Sequence, residues 1–403
     1  MTTRARTAAV IGGGVAGPVA AAALRLAGVE ATVYEAYPSR PDGVGGTLAL
    51  APNGLAALEI IGAAEAVAAA GLAITRMDMT VGERKRFTIP SLPDAGPLRS
   101  LHRSELHRLL HERAEALGVP FAYGKQLIDA RQDGSGATAV FSDGTEVEAD
   151  VLIGADGVHS ALRPLIDPGA PGAHYTGMIG FEGVADHEAP VDPGTMTFAF
   201  GRRGYYLYWR LPEGGTRWGV NLPLRDPLPH REIQLTSIEE WKARMLEVYG
   251  GDEPGGDLLR TTPADRIQIH GPLHLMPKVP RWHRGRMVLV GDAVHAPSNS
   301  SGQGASLAIE SAVELARCLR DLEPAAAFAA YERLRRNRVE RVAANAARTN
   351  GVKAPGPVAQ AIMPLVMPLF IKTVMNPEKT LGPVQRHRID WDATVAEDGR
   401  QHS

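Results

Sequence analysis

A chain of 403 residues with a formal net charge of −2 and 22% charged residues gives no electrostatic reason to expect nucleic acid or an anionic membrane as partner. A single cysteine, Cys318, excludes internal disulfides and fits a reducing, cytoplasmic compartment. No apolar run reaches the roughly 18 residues that a membrane span requires, and the length suits two packed domains or one large domain with an insertion.

The first element is a short apolar strand, Ala8-Ala9-Val10-Ile11, which runs into the turn Gly12-Gly13-Gly14-Val15-Ala16-Gly17. An Ala- and Leu-rich helix follows from Pro18 to Ala27, with the proline near the first helical turn. A second strand, Ala31-Thr32-Val33-Tyr34, ends at Glu35, 21 residues after Gly14. This is a complete βαβ unit. Gly12 permits the tight turn, Gly14 lets the backbone approach a pyrophosphate, and Gly17 allows close packing of helix on strand. The helix N-terminus offers N–H groups to phosphates, and Glu35 stands where a carboxylate accepts ribose hydroxyls. A signal peptide is excluded, because three glycines interrupt the apolar run behind Arg4 and Arg6.

Residues 55–70 read as an Ala-rich helical stretch, and Met77–Val81 and Arg86–Ile89 as strands in a Pro-punctuated region. A helix is expected from Ser104 to Leu117. A hairpin follows, with Ala137–Phe141 and Glu146–Ala149 joined by a Ser142–Thr145 turn. Asp150-Val151-Leu152-Ile153-Gly154-Ala155-Asp156-Gly157 is a second apolar strand that ends in a small residue and an aspartate. Residues 173–262 are richer in aromatic strands and turns. A third strand of the same kind, Met287-Val288-Leu289-Val290, leads to Gly291-Asp292-Ala293-Val294-His295, then Gly302-Gln303-Gly304 and a helix from Ala305 to Arg320. Two such glycine segments nearly three hundred residues apart suggest one long cofactor held at both ends. A carboxylate at the strand end suits a polyol chain, and the following helix N-terminus suits a ring carbonyl that becomes negative on reduction. The Tyr331–Arg341 run, with acids and Leu334 and Val339 interspersed, reads as an amphipathic surface helix. Ile362–Ile371, broken by two prolines, reads as part of a packed terminal segment.

With these three motifs in order, the chain resembles the class A flavoprotein monooxygenases, the para-hydroxybenzoate-hydroxylase-like aromatic hydroxylases. The resemblance covers residues 7–350. It implies an α/β fold: a Rossmann-like, glutathione-reductase-type FAD-binding domain with an interleaved β-sheet substrate domain and a C-terminal helical segment. The FAD domain is expected from residues 1–75, 98–172 and 263–350, the substrate sheet from 76–97 and 173–262, and the terminal segment from 351–403. By resemblance, Gly12, Gly14, Val15, Ala16, Gly17 and Glu35 hold the ADP half of FAD, and Arg103 reaches the cofactor from a helix start. Gly291 and Asp292 serve the ribityl and pyrophosphate, Gly302, Gln303 and Gly304 line the isoalloxazine, and Asp156, with Arg163 closing its motif, belongs to FAD and NAD(P)H binding. The reaction implied takes NAD(P)H as a transient co-substrate. With O2 it hydroxylates or epoxidises an aromatic or polycyclic small molecule through a flavin C4a-hydroperoxide.

Simpler roles stand beside these. Helix capping alone would account for Asp156 and Asp292. Arg103 fits a solvated helix charge among Glu105, Arg108 and Glu112. His295 reads as a packed structural histidine and Cys318 as a small buried hydrophobe. A dehydrogenase on the same scaffold, or a non-catalytic flavin- or ligand-binding protein, would share the cofactor motifs. No metal site is expected, and the oligomeric state, monomer or homodimer, stays open.

The substrate is expected on the aromatic middle. Alternation puts Met196, Phe198 and Phe200 on one strand face. It puts Tyr206, Tyr208 and Arg210 on one face of the next strand, with Tyr205, Leu207 and Trp209 on the other. Phe198, Phe200, Tyr206, Tyr208, Arg210 and Trp218 are candidate pocket residues, and a two-sided sheet core accounts for at least one face. In many family members a proline stands three or four places after the histidine. Here Pro297 comes early, and Ser298 and Asn299 occupy those places. Asn299, which can donate or accept a hydrogen bond, is therefore a further candidate for the pocket wall.

Overall fold

The computed structural model describes residues 4–40, 45–82, 85–92, 94–298, 302–350 and 377–396. The strand Thr7–Ile11 lies inside a six-stranded sheet. Its order is His283–Arg284, Met287–Leu289, Val151–Gly154, Thr7–Ile11, Glu30–Tyr34 and Phe121–Ala122. All neighbours are parallel except the two-residue edge strand at His283. Strands buried on both faces need continuous apolar runs, and the four residues of Val151–Gly154 are all buried.

One side of this sheet is covered by helices Ala16–Leu26 and Gly304–Asp321, which pack on each other. Ala16 through Leu24 are buried without exception, and a side of alanines lets two helices approach closely. The other side carries an antiparallel three-stranded sheet, Leu127–Gln132, Ala137–Phe141 and Glu146–Ala149. Phe141 is buried there with its ring stacked 5.1 Å from Tyr34. The expected hairpin is present, and Leu127–Gln132 is a third strand that the sequence reading leaves out.

The second large element is a seven-stranded sheet. Its order is Ile267–Leu275, His174–Ala185, Thr216–Pro223, Tyr205–Arg210, Thr195–Phe200, Arg76–Val81 and Lys85–Ile89. Pairing is antiparallel except between Thr195–Phe200 and Arg76–Val81. Three helices missing from the sequence reading, His230–Leu235, Ile238–Tyr249 and Gly255–Thr261, follow these strands. Ile238–Tyr249 buries Trp241, Met245 and Tyr249 at i, i+4 and i+8. A small sheet of Thr47–Leu50, Leu98–His102 and Leu72–Ile74 stands between the two large ones.

The Ala-rich stretch forms two helices, Pro52–Ile61 and Ala64–Ala70. They break at Gly62, which adopts a left-handed conformation with φ +72°. Helices Arg103–Ala116 and Gly304–Asp321 fall within one residue of expectation. The Tyr331 run lies in the helix Pro324–Asn350 as an amphipathic surface helix, with Arg333, Asn337 and Arg341 exposed and Tyr331, Val339 and Val342 buried, but one of its charges belongs to the buried face. Arg335 is only 1% exposed because Glu310 of the preceding helix meets its guanidinium at 2.6 Å. The Ile362–Ile371 run lies outside the described residues. No helix among those described is long and apolar enough to cross a membrane.

Candidate active site

The three motif strands are neighbours in one parallel sheet, so their carboxyl ends open side by side. Ligands of open α/β sheets bind at that edge. Gly12, with φ +103°, sits where any Cβ would meet the Ala155 carbonyl oxygen at 2.5 Å. A Cβ on Gly17 would fall 1.9 Å from the Gly12 carbonyl oxygen, and one on Gly291 would fall 2.8 Å from the Ala16 Cβ. Contacts within the chain thus require glycine at these positions, and Gly291 presses the second glycine segment against the first. Val15 and Ala16 are buried at the start of the helix, which has no side-chain cap.

Gly14 and Gly304 differ from these. A Cβ at either would meet nothing within 4 Å. Nothing within the chain crowds Gly14, so its bare backbone suits close approach by a bound group. Gly304 begins the helix Gly304–Asp321, whose N-terminus likewise has no side-chain cap. The two uncapped helix ends offer N–H groups and partial positive charge, one in each glycine segment.

Glu35 braces the first turn. Its Oε2 accepts the Gly13 N–H at 2.6 Å and its Oε1 accepts the Tyr37 N–H at 2.9 Å. The Gly13 carbonyl accepts from His111 Nε2 at 2.6 Å. At the other end, burial pushes the Asp292 carboxyl up, and the Arg103 guanidinium partly opposes that rise. The two residues therefore stand in one electrostatic neighbourhood, although they are 189 positions apart. Arg103 is exposed at the first turn of its helix and packs beside Gly45.

Asp156 Oδ2 accepts the N–H groups of Ala161 and Leu162 at 2.8 and 3.1 Å. Capping is therefore real, but Oδ1 is buried with no hydrogen-bond partner. Burial pushes this carboxyl up. Arg163 donates to the Ala293 carbonyl at 3.0 Å and ties the second motif to the third. Gln303 is buried, and its Oε1 accepts from Asn53 Nδ2 at 3.0 Å. Asn53 also donates to Glu310 at 2.7 Å, which Arg335 and Arg338 flank. Burial alone would raise the Glu310 carboxyl, but the two arginines outweigh it and hold it at about 2. This buried network underlies the Gly302–Gly304 turn, and the sequence reading misses it. His295 is buried against Ser311 Oγ at 2.8 Å, and burial pushes it down to about 3, so it is neutral at pH 7.

The seven-stranded sheet sorts the aromatic candidates by face. Tyr206, Tyr208 and Trp218 belong to a core with Trp241, Met245, Tyr249 and Leu258 under the helices. Trp218 Nε1 donates to Thr262 Oγ1 at 2.7 Å, and Tyr206 Oη donates to the Glu253 carbonyl at 3.2 Å. Arg210, on the same face, pairs with Glu188 at 2.6 Å. These four candidates are turned away from the cofactor turns, because the helices after the sheet need a partner and take this face. Phe198 and Phe200 point the other way. Register aligns them with Leu207 and Tyr205, and Phe198, Phe200, Tyr205 and Leu207 are all partly exposed. Asn299 lies outside the described residues, while Ser298 is buried.

The same inner face carries a polar cluster absent from the sequence reading. Glu182 accepts the Thr47 N–H at 2.7 Å and meets Arg217 at 3.1 Å and His270 at 3.3 Å. Burial would raise its carboxyl, but these partners outweigh burial and hold it below the usual range. A Cβ at Gly46 would overlap the His270 ring, and His102 Nε2 lies 3.1 Å from Gln268 Oε1. The inner face thus meets the strand beside Gly45 and Arg103. The one available signal is Glu182 and Arg217 at inward positions of otherwise apolar strands.

An extended dinucleotide fits these residues: two uncrowded glycines, two uncapped helix starts and an unpartnered carboxylate oxygen lie along one sheet edge. The FAD binding domain family model matches residues 5–346. The 3-amino-4-hydroxybenzoate 2-monooxygenase PtmB3 of Streptomyces platensis is 33% identical over 354 residues, which cover 83% of this chain and 85% of that protein. The FAD-dependent urate hydroxylase of Klebsiella pneumoniae is 30% identical over 346 residues, which cover 82% of this chain and 86% of the relative. The crystal structure of Klebsiella pneumoniae HpxO complexed with FAD and uric acid has the same fold. Its TM-score is 0.79 at 24% identity, with coverage of 94% of this chain and 96% of that one. The chain belongs to the class A FAD-dependent monooxygenases, the aromatic-hydroxylase family built on this FAD-binding domain.

Proposed function

We propose that this monooxygenase uses NAD(P)H and O2 to hydroxylate or epoxidise an aromatic or polycyclic small molecule held between the cofactor turns and the inner sheet face. The observation that carries the reading is the half-open aromatic wall of Phe198, Phe200 and Tyr205 beside the Glu182–Arg217–His270 cluster. Flat rings stack on such a wall, and a few convergent polar groups orient them. Relatives named for urate and for 3-amino-4-hydroxybenzoate support a substrate of this size.

Bound FAD supplies electron transfer from NAD(P)H and the activation of oxygen. The chain's own residues bind, orient and exclude water. Gly12, Gly14 and Gly17 with Glu35 seat the ADP half, and Arg103 and Asp292 set the charge along the chain joining the two halves. The N-terminus of Gly304–Asp321 stabilises negative charge on the ring system. Arg217 and His270 face the substrate with Glu182 as their anchor. Phe198, Phe200, Tyr205 and Leu207 keep water from the reacting edge.

The test is an anaerobic absorption titration of the flavin-loaded protein with NADPH and NADH, with and without trial phenols, followed by labelled O2 and mass analysis of the product. Bleaching accelerated by a ligand, with label in the product, supports the reading. Reduction without incorporation makes the protein a dehydrogenase. Ligand binding with no NAD(P)H consumption makes it a binding protein. A colourless protein that takes up no FAD overturns the cofactor assignment.

A further inference from the structure

Glycine inside a β-strand weakens the strand, and where no backbone angle demands it, it marks close approach by another group. Among the described residues, the strand glycines with ordinary backbone angles are Gly154, Gly180, Gly183 and Gly219. A Cβ on Gly154 would meet Leu162 and Leu289 at 2.9 Å, and one on Gly183 would meet the Trp218 ring at 2.6 Å. At Gly180 the His270 Cβ would lie 3.3 Å away. Gly219 differs from all three. The nearest atom to its Cβ would be Leu207 Cγ at 3.6 Å, an ordinary contact. Neither packing nor backbone geometry explains why this position carries no side chain.

Gly219 belongs to the inner face of the seven-stranded sheet. Along Thr216–Pro223, Thr216, Trp218, Val220 and Leu222 are buried, while Arg217, Gly219 and Asn221 are partly exposed. Register places Phe198, Leu207, Gly219 and Glu182 opposite one another on four neighbouring strands. Strands stand about 4.8 Å apart, so this row runs about 14 Å from the aromatic wall to the polar cluster. Bare backbone lies one strand short of Glu182, flanked along its own strand by Arg217 and Asn221. The row also reaches the cofactor side. Glu182 accepts the Thr47 N–H at 2.7 Å, and the adjacent Gly46 carbonyl accepts the Arg103 N–H at 3.0 Å.

A ring stacked on Phe198 needs a second, fused ring to reach Gly219, two strands away. There the Arg217 guanidinium supplies donors, and the Asn221 amide supplies a donor and an acceptor. We propose that Gly219 is the floor of a substrate subsite for a second fused ring. The substrate class is then a flat aromatic of two or more rings, with a hydroxyl or carbonyl edge set over Gly219 between Arg217 and Asn221. This proposal rests on the monooxygenase reading above.

The experiment measures binding of phenol and 2-naphthol to the FAD-loaded protein by perturbation of the flavin spectrum. FAD affinity and apoprotein melting temperature are recorded for each variant. Gly219→Ala is expected to cut the preference for 2-naphthol over phenol about tenfold, and Gly219→Val about a hundredfold, through 2-naphthol alone. Both apoproteins are expected to melt at or above the wild-type temperature, because a side chain stiffens the strand. Asn221→Leu should weaken 2-naphthol about tenfold, as the loss of one hydrogen bond does. An unchanged preference in the two Gly219 variants overturns the proposal. So does a loss that strikes phenol equally, or that follows a lower melting temperature or weaker FAD binding. If Gly219→Val does not fold, Gly219→Ala carries the comparison. FAD-loaded wild-type protein that binds neither compound overturns the aromatic-substrate reading itself, whereas wild-type binding with unaltered variants overturns only the role of Gly219.

Discussion

On the outer face of the seven-stranded sheet, Tyr206, Tyr208 and Trp218 are no more than 3% exposed beneath three helices. On the inner face Tyr205 stacks on Phe198 and meets Phe200 edge to face, and all three are only partly covered. The two sets come from the same strands and alternate along them. Side chains of the same chemistry therefore serve as core on one face and, at Phe198, Phe200 and Tyr205, as a half-open wall on the other, where Met196 and Trp209 are buried against Ile74. What separates them is the partner each face meets: helices outside, and the small Thr47–Leu50 sheet with the polar Glu182 cluster inside. The glycine turns repeat the contrast. Gly17 is required by a carbonyl 1.9 Å from its would-be Cβ, whereas Gly14 meets nothing.

The largest effects should fall on the covered side. Trp218→Ala is expected to cost about 3–5 kcal/mol, as large-to-small core changes do, and chemical denaturation will show it. A loss below about 1 kcal/mol would break the distinction between the faces. Glu310→Gln leaves Arg335 buried without its counter-charge and should cost about 3 kcal/mol or more, read the same way. Acid should weaken the same buried regions. His107 and His295 hold pKa values near 3 in the fold against an ordinary 6.5. Below pH 6.5 the unfolded chain takes up protons that the fold refuses. This stability is therefore whole above pH 6.5 and is lost as pH falls toward 3. Each histidine accounts for about 2 kcal/mol at pH 5. Apoprotein melting temperature should fall from pH 7 to pH 5, and His295→Gln should flatten the slope.

Smaller effects should fall on the open side, and on binding rather than folding. Gly14→Ala is expected to leave the melting temperature of the apoprotein within a degree or two while weakening FAD by about tenfold, some 1.4 kcal/mol. Equal damage to stability and affinity would mean that the turn needs this glycine for its own packing. Phe198→Ala should change stability by about 1 kcal/mol or less and act mainly as a raised KM for the aromatic substrate. Steady-state kinetics at saturating NADPH will show whether kcat moves instead.

Much of the cofactor side was legible because each part is local. A strand, a glycine turn, a helix and an acid 21 residues on are enough to announce the βαβ unit. The helix Ile238–Tyr249 was also announced, by Ser237 three residues before Glu240, whose N–H it caps at 3.2 Å; the aromatic strands before it masked that signal. The Asn53–Gln303–Glu310 network left no local trace, since Asn53 lies on one helix and Gln303 and Glu310 on the start of another, up to 257 residues away. Glu182 and Arg217 show only as charges in apolar strands, and what they do depends on Thr47, 135 positions away from Glu182.

By itself the sequence determined where the chain makes its glycine turns and which strands are buried on both faces, because hydrogen-bonding geometry and side-chain period act over a few residues. It also determined that the middle strands carry aromatic rings on both faces. Tertiary structure alone decided which of those faces became core. Helices supplied from farther along the chain covered Tyr206, Tyr208 and Trp218, and burial is a property of the partner a face finds rather than of the face.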